Sequence, residues 1–140
     1  MMKTSLLPKP THARWTKQLK ELKALSVREP WAWLIVNGWK DIENRSWLTH
    51  YRGPLLIHAS MSKASLIQEV WDDVYDLGVK RLPTEYTLGG IVGVVDVVDC
   101  VKKSKSPWHF AGNWGWVLTN PRILPFRECK GAVGFFKPKL

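Results

Sequence analysis

The sequence predicts a mixed α+β fold, a small and mostly β barrel whose openings are covered by helices. The segment 88–101 is a long run rich in β-branched residues, which is typical of a strand. Shorter apolar segments predict further strands at 24–27, 53–60, 113–120, 122–126 and 131–137. Only two segments have clear helical spacing, which disfavours a doubly wound sheet and favours a barrel.

The first predicted helix begins at Pro30, where the missing N–H of proline costs nothing. Trp31, Leu34 and Ile35 recur at helical spacing, and Gly38 is expected to end the helix by admitting a left-handed residue. Trp33 then points away from the apolar face and is expected at a rim. The charged segment that follows is expected to be extended or a loop.

The second predicted helix starts at a capping box formed by Ser65 and Gln68, and it ends at Gly78. Its apolar stripe consists of Ile67, Val70, Trp71 and Val74. A shorter helical turn is expected at 15–22, after an irregular stretch at 1–14. Gly93, inside the longest strand, predicts a bulge or a barrel bend.

Composition places the chain among ordinary single-domain globular proteins. It has 140 residues, of which 45% are hydrophobic and 24% charged. No apolar run approaches the roughly 20 residues of a membrane helix, and no signal peptide is recognisable, so we expect a cytoplasmic protein without a membrane partner. Cys100 and Cys129 lack zinc-ligand spacing and are expected to be plain thiols, and we expect no cofactor and no metal.

The net charge of +9 is concentrated near the N-terminus. Residues 1–23 carry six basic residues and one acid, a net charge of +5. A basic arm of this kind suits a polyanionic partner, because each neutralised phosphate releases counterions. A solvated tail that only aids solubility has the same composition, and both interpretations remain open.

The segment 26–47 combines four of the nine tryptophans with three acids and three bases. In an extended segment Asp41, Glu43 and Arg45 would share one face. Such a group could bind a nucleotide, with the base on phosphate, the carboxylate on a base edge and a tryptophan stacked. The alternative is a salt-bridge cluster that fixes the segment to the barrel.

The same segment resembles the ASCH domain (activating-signal-cointegrator homology) family. The hallmark G-x-K-x-x-E-x-R is matched by Gly38, Lys40, Glu43 and Arg45 within "ALSVREPWAWLIVNGWKDIENRSW". The segments "YRGPLLIHAS" and "LGGIVGVVDVVDCV" extend the resemblance to about residues 24–137. It divides the chain into a basic arm at 1–23 and one domain at 24–140.

The resemblance implies a PUA-like pseudo-barrel of five to six strands with two main flanking helices. It also implies binding of RNA, another nucleic acid or a nucleotide-like small molecule, by a protein expected to be a monomer. The site would lie in a cleft beside the motif. Its candidate residues are Arg28, Trp33, Lys40, Glu43, Arg45, Trp47, His58 and Ser60.

Two other functions are compatible with the same resemblance. The first is a metal-independent hydrolase acting on a modified nucleoside or RNA, with Lys40 and Glu43 as catalytic residues. In the amidohydrolase branch of the family, the position of Glu43 holds a threonine, and a carboxylate there would pair with Lys40. This departure shifts weight from hydrolysis to binding. The second is a protein-interaction adaptor in transcription or RNA metabolism.

Overall fold

The computed structural model describes residues 10–63 and 68–140, which form one mixed sheet with helices and confirm the α+β class. The strands are β1 Thr11–His12, β2 Ala24–Glu29, β3 Ile42–Arg45, β4 Gly53–Lys63, β5 Gly90–Val101, β6 Trp114–Glu128 and β7 Phe135–Phe136. The helices are α1 Lys17–Lys20, α2 Trp31–Val36 and α3 Gln68–Asp76. Within the described ranges, no helix has both the length and the apolarity to cross a membrane.

The order of strands leaves the sheet with two separate edges. The hydrogen-bonded order is β1-β6-β5-β4-β2-β7. β3 pairs with the first part of β6, along the edge that pairs with β1 further on. The central pairs β4–β5 and β5–β6 are antiparallel, whereas β2 runs parallel to β4. In the described part of the chain, β3 and β2 share no backbone pairing. The pseudo-barrel therefore has an open seam between these two strands.

The strands differ from the sequence prediction at the C-terminal end. The two strands predicted at 113–120 and 122–126 are one strand, because the backbone bends at Asn120 without ending the ladder. Asn120 has φ of 52°, a left-handed conformation that asparagine tolerates better than most residues. The strand predicted at 131–137 is reduced to Phe135–Phe136. Across residues 10–63 and 68–140, five strands have four residues or more, β2 to β6.

The helices lie where the sequence predicts them. α2 ends before Gly38, whose φ of 81° confirms the predicted left-handed stop, and Gly78 after α3 has φ of 105°. The capping-box residue Ser65 and the stripe residue Ile67 lie outside the described residues. α1 begins after Thr16, whose side chain accepts a hydrogen bond from the backbone N–H of Leu19.

Two apolar clusters lie on opposite faces of the sheet, because alternate residues of a strand point to opposite sides. One cluster contains Leu25, Leu55 and Ile57, together with Trp116. The other contains Leu56 and its neighbours, and the side chains of the described part of the predicted arm pack against it. These are Ala13, Trp15, Leu19 and Leu22. The division into an arm and a domain stays a prediction.

Gly93 lies where α2 packs closely against the sheet. The register of β5 against β6 shifts between Ile91 and Gly93, which confirms the predicted bulge. A Cβ atom at this position would lie 2.6 Å from both the Arg122 carbonyl oxygen and Val36 Cγ1. Only glycine therefore lets α2 lie against β5.

We predict that Gly93→Ala lowers the free energy of unfolding by about 1–3 kcal/mol, because backbone and helix must both shift. Chemical denaturation monitored by tryptophan fluorescence measures this change. Val133→Ala is the control, since Val133 is fully exposed and its truncation should change stability by less than about 0.5 kcal/mol. Equal stabilities of the two variants would contradict the close approach of α2.

Candidate functional site

The three charged residues of the motif form one buried ion-pair cluster. Lys40 Nζ donates to the carbonyl oxygen of Ile42 and, at 3.2 Å, to Glu43 Oε1. Glu43 Oε2 accepts a hydrogen bond of 2.9 Å from Arg45 Nε. Lys40 and Glu43 are only 4% and 8% exposed, so these contacts replace contacts with water. The arrangement is the salt-bridge cluster that the sequence left open as an alternative.

Arg45 carries this cluster across the open seam of the barrel. Its Nη2 atom donates a 2.9 Å hydrogen bond to the carbonyl oxygen of Ser26, which lies on β2. The hydroxyl of Ser26 in turn lies 2.9 Å from Nδ1 of the buried His58. The side chain of Arg45 therefore supplies a link between β3 and β2 that backbone pairing does not.

His58 is held on both ring nitrogens. Its Nε2 atom lies 2.9 Å from the carbonyl oxygen of Cys129, and the ring is only 2% exposed. Because a carbonyl can only accept, Nε2 carries a hydrogen, and Nδ1 of the neutral ring accepts from the Ser26 hydroxyl. A Cβ atom on Gly131 would lie 2.6 Å from both His58 and Ser26, so this backbone covers the pair.

The remaining predicted site residues lie in different surroundings. Arg28 is exposed on β2, and Ser60 lies on the neighbouring β4 with its hydroxyl accepting from the N–H of Ser62. The recess lined by Lys40 has a volume of about 10 Å³, room for about one water molecule. Trp33 instead lines a cleft of about 340 Å³. The structure joins Lys40 with the other two motif charges and places Trp33 at a separate opening.

A lysine-rich loop, residues 102–113 between β5 and β6, is anchored to the motif segment, residues 38–45. Asp41 accepts a 2.5 Å hydrogen bond from the hydroxyl of Ser106. Asn44 on β3 donates to the carbonyl oxygen of Trp108 and accepts from the N–H of Phe110, both at 2.9 Å. The motif segment therefore holds a loop whose three lysines are all exposed. They are Lys102, Lys103 and Lys105.

An aromatic row continues from this loop along the seam. Lys102 Nζ lies 5.0 Å from the ring centre of Trp114, and Trp116 follows two residues later on the same face. The ring centre of Trp47 lies 4.6 Å from that of Trp116 and 5.6 Å from that of Phe135. The row ends at Tyr51, 5.5 Å from Phe135, where Lys23 Nζ lies 4.5 Å from the Tyr51 ring. Trp47, with 37% of its surface exposed, is the most accessible ring of the row.

The cleft lined by Trp33 contains a buried carboxyl group. Glu29 is 3% exposed, and its Oε1 atom accepts a 2.7 Å hydrogen bond from the backbone N–H of Trp33. Burial raises the pKa of Glu29 to about 7, because the charged form loses its hydration, and the Trp33 hydrogen bond offsets only part of this. Burial and the charge of Glu29 raise the pKa of the neighbouring Tyr86 to about 12.

Comparison with known proteins identifies the family. The model of the ASCH domain matches residues 25–121, which is well over half of the chain. The chain belongs to the ASCH domain family. The match includes β2, the motif segment, β4 and β5, so it spans the seam and most of the ion-pair and aromatic contacts described above.

Two curated relatives share this region. Activating signal cointegrator 1 of Homo sapiens is 40% identical over 91 residues, covering 61% of this chain, and the Mus musculus protein is 36% identical over the same length. The matched region is 16% of the length of each relative. A crystal structure of a ZmASCH mutant from Zymomonas mobilis covers 77% of this chain and 76% of its own, with 14% identity and a TM-score of 0.47.

Sequence reasoning missed the features around Glu29 and the lysine loop. Glu29 continues the alternation of Leu25 and Val27 along β2, and that spacing was a signal of burial. The loop contains "KKSK", a basic run that was readable but had no visible connection to the motif. Nothing in the sequence around Tyr86 indicated that it lies near Glu29, because that proximity depends on tertiary packing.

We predict that Arg45→Ala lowers the free energy of unfolding by about 3 kcal/mol, because it leaves Glu43 buried with one partner and removes the link to Ser26. Arg52→Ala is the matched control. Arg52 contacts Asp99 at 3.7 Å with both side chains largely exposed, so its loss should cost less than about 1 kcal/mol. Denaturant titration measures both, and similar losses would show that the cluster does not stabilise the fold.

We also predict that Glu29 makes stability fall as pH rises. The folded-state pKa of about 7 exceeds the ordinary glutamate value of 4.5, so the folded state binds the proton more tightly than the unfolded chain. The contribution of Glu29 is complete below about pH 4.5 and is lost by about pH 7, a loss of about 3 kcal/mol.

Unfolding free energies of wild type and Glu29→Gln at pH 5 and pH 8 measure this effect. The glutamine variant should have a smaller loss between the two values, because it carries no titrating group at this position. A parallel pH dependence of the two proteins would mean that Glu29 titrates normally.

Proposed function

We propose that this protein binds single-stranded nucleic acid, most naturally RNA, along the aromatic row. The observation that carries the proposal is the row from Trp114 to Tyr51, with Lys102 at one end and Lys23 at the other. Trp116 is fully buried, so the rings that a bound strand can reach are the exposed Trp47 and the partly exposed Trp114, Phe135 and Tyr51. Aromatic side chains stack on bases of any sequence, and nearby lysines contact the backbone phosphates. The family membership supports the same function.

The distribution of charge supports this choice of surface. Among the described ion pairs, the basic partners are Lys40, Arg45, Arg52 and Arg122. The three lysines of the loop after β5 are outside these pairs, so their charge is available to an anionic strand. The lysines of α1 lie with the other apolar cluster, on the opposite face of the sheet.

The surroundings of Lys40 favour binding over hydrolysis. A lysine that acts as a nucleophile or base needs a free amine and room for substrate. Lys40 Nζ donates to two protein oxygens, and its recess of about 10 Å³ excludes a nucleoside. The motif charges then serve the protein by fixing the seam, while Asp41 and Asn44 hold the lysine loop, and the ligand contacts fall to the surrounding residues.

We predict that a short single-stranded RNA binds with an affinity that falls steeply with salt. Each phosphate contact contributes about 0.7 to the slope of log affinity against log salt concentration. The combined change Lys102→Gln, Lys103→Gln and Lys105→Gln should therefore reduce the slope by about 2. Fluorescence anisotropy at five salt concentrations measures the slopes.

The matched control is Lys17→Gln with Lys20→Gln on α1, which should leave the slope nearly unchanged. Trp47→Ala tests stacking separately, and it should weaken binding at every salt concentration while leaving the slope unaltered, since stacking releases no counterions. Absence of RNA and DNA binding at low salt would refute the proposal. A larger effect of the α1 variant would move the interface to the other face.

A further inference from the structure

The cleft beside Glu29 has the size and the walls of a small-ligand site. Its volume of about 340 Å³ lies within the usual range for ligand pockets, roughly 300–1,000 Å³. Trp33, Tyr86 and Phe126 provide aromatic surface, and Thr87 adds a hydroxyl. The lining combines a largely apolar wall with a few polar groups, which is the usual composition of such sites.

One oxygen atom of this lining is buried without a hydrogen-bond partner in the described part of the chain, and it lies near a carboxyl group that can accept a further hydrogen bond. The Tyr86 hydroxyl is buried. Among the described residues, it is the one buried side-chain nitrogen or oxygen atom that has no hydrogen-bond partner. Glu29 Oε1 accepts from the N–H of Trp33, whereas Oε2 forms no hydrogen bond to any described residue. Buried polar groups in folded proteins are almost always paired, so an unpaired hydroxyl beside a carboxyl group points to a ligand.

The charges of the lining determine which part of a ligand can enter. Glu29 and Glu85 are its only ionisable residues besides Tyr86, and it contains no lysine or arginine. Phosphate and carboxylate groups are therefore excluded, and a flat uncharged ring with an amino group is favoured. A nucleobase has such a ring, and carboxylates commonly accept hydrogen bonds from base amino groups.

We propose that this cleft binds one adenine or cytosine base, stacked on Trp33 and hydrogen-bonded to Tyr86 and Glu29. The Tyr86 hydroxyl donates to the ring nitrogen, and Glu29 Oε2 accepts from the adjacent amino group. This inference rests on the proposed function, because the base that enters the cleft belongs to the bound strand. A free nucleoside presents the same ring and edge.

Isothermal titration with adenosine, cytidine and uridine at pH 8, above the Glu29 pKa of about 7, tests the proposal directly. We expect adenosine or cytidine to bind at least tenfold more tightly than uridine, whose edge presents a carbonyl oxygen where the others carry the amino group. Tyr86→Phe should weaken this binding by about 3- to 10-fold, the usual effect of losing one hydrogen bond. It should not lower the melting temperature, because the hydroxyl has no partner in the protein.

Glu29→Gln provides a second test that a purely structural role could not mimic. The glutamine oxygen must face the N–H of Trp33, so its NH₂ group faces the cleft and meets the amino group of the ligand. We expect the preference to reverse toward uridine, whose carbonyl oxygen can accept from that NH₂ group. Tyr75→Phe on α3 is the control tyrosine variant, and its nucleoside affinities should equal those of the wild type.

The nucleoside and strand experiments separate the two proposals. If RNA binds with the predicted salt dependence but no nucleoside binds and Tyr86→Phe has no effect on either, the cleft is not a base site and the aromatic row stands. If adenosine or cytidine binds and RNA does not, the cleft is a nucleoside site and the proposed interface is wrong. Equal affinities for all three nucleosides would overturn the assigned hydrogen bonds.

Discussion

The hydrogen bond from Arg45 to the carbonyl oxygen of Ser26 connects the two strands that the sheet leaves apart. Backbone pairing runs from β3 through β6, β5 and β4 to β2, and in the described part of the chain it does not close the circle. Arg45 crosses the seam, and Glu43 holds its guanidinium while Lys40 holds Glu43. Burial makes the three charges interdependent, because removing one leaves another without its partner. The geometry around the motif follows from this chain of contacts.

The surfaces proposed for ligand binding are positioned by β3 and β2, the two strands that the Arg45 side chain connects. β3 carries Asn44, which positions the lysine loop, and it leads to Trp47 in the aromatic row. β2 carries Ser26 and ends at Glu29, whose carboxyl group meets the first turn of α2. The fixed geometry of a few charged residues thereby positions the lysine loop, Trp47 and Glu29, which those residues do not contact. The motif, in this account, organises the binding surfaces without contacting the ligand.

Local pattern was sufficient to predict the α+β class, the main helices and the bulge at Gly93, because each depends on periodicity or on glycine. The motif residues and the alternative of a salt-bridge cluster were also readable. The cleft could not be predicted, since Glu29 and Tyr86 are far apart in the chain and meet only after folding. His58 stands in a pattern compatible with either a site or a core, and only its two buried hydrogen bonds distinguish them.

The most direct test of binding along the seam is a heteronuclear NMR titration of the tryptophan indole N–H signals with a short single-stranded RNA. The nine tryptophans act as reporters spread over the molecule. We predict that the signals of Trp47 and Trp114 shift first, joined by Trp33 if a base enters the cleft. Trp15, which packs with α1 on the other face of the sheet, should remain unchanged. Shifts confined to Trp15 and Trp71, or no shifts at low salt, would contradict the proposed interface.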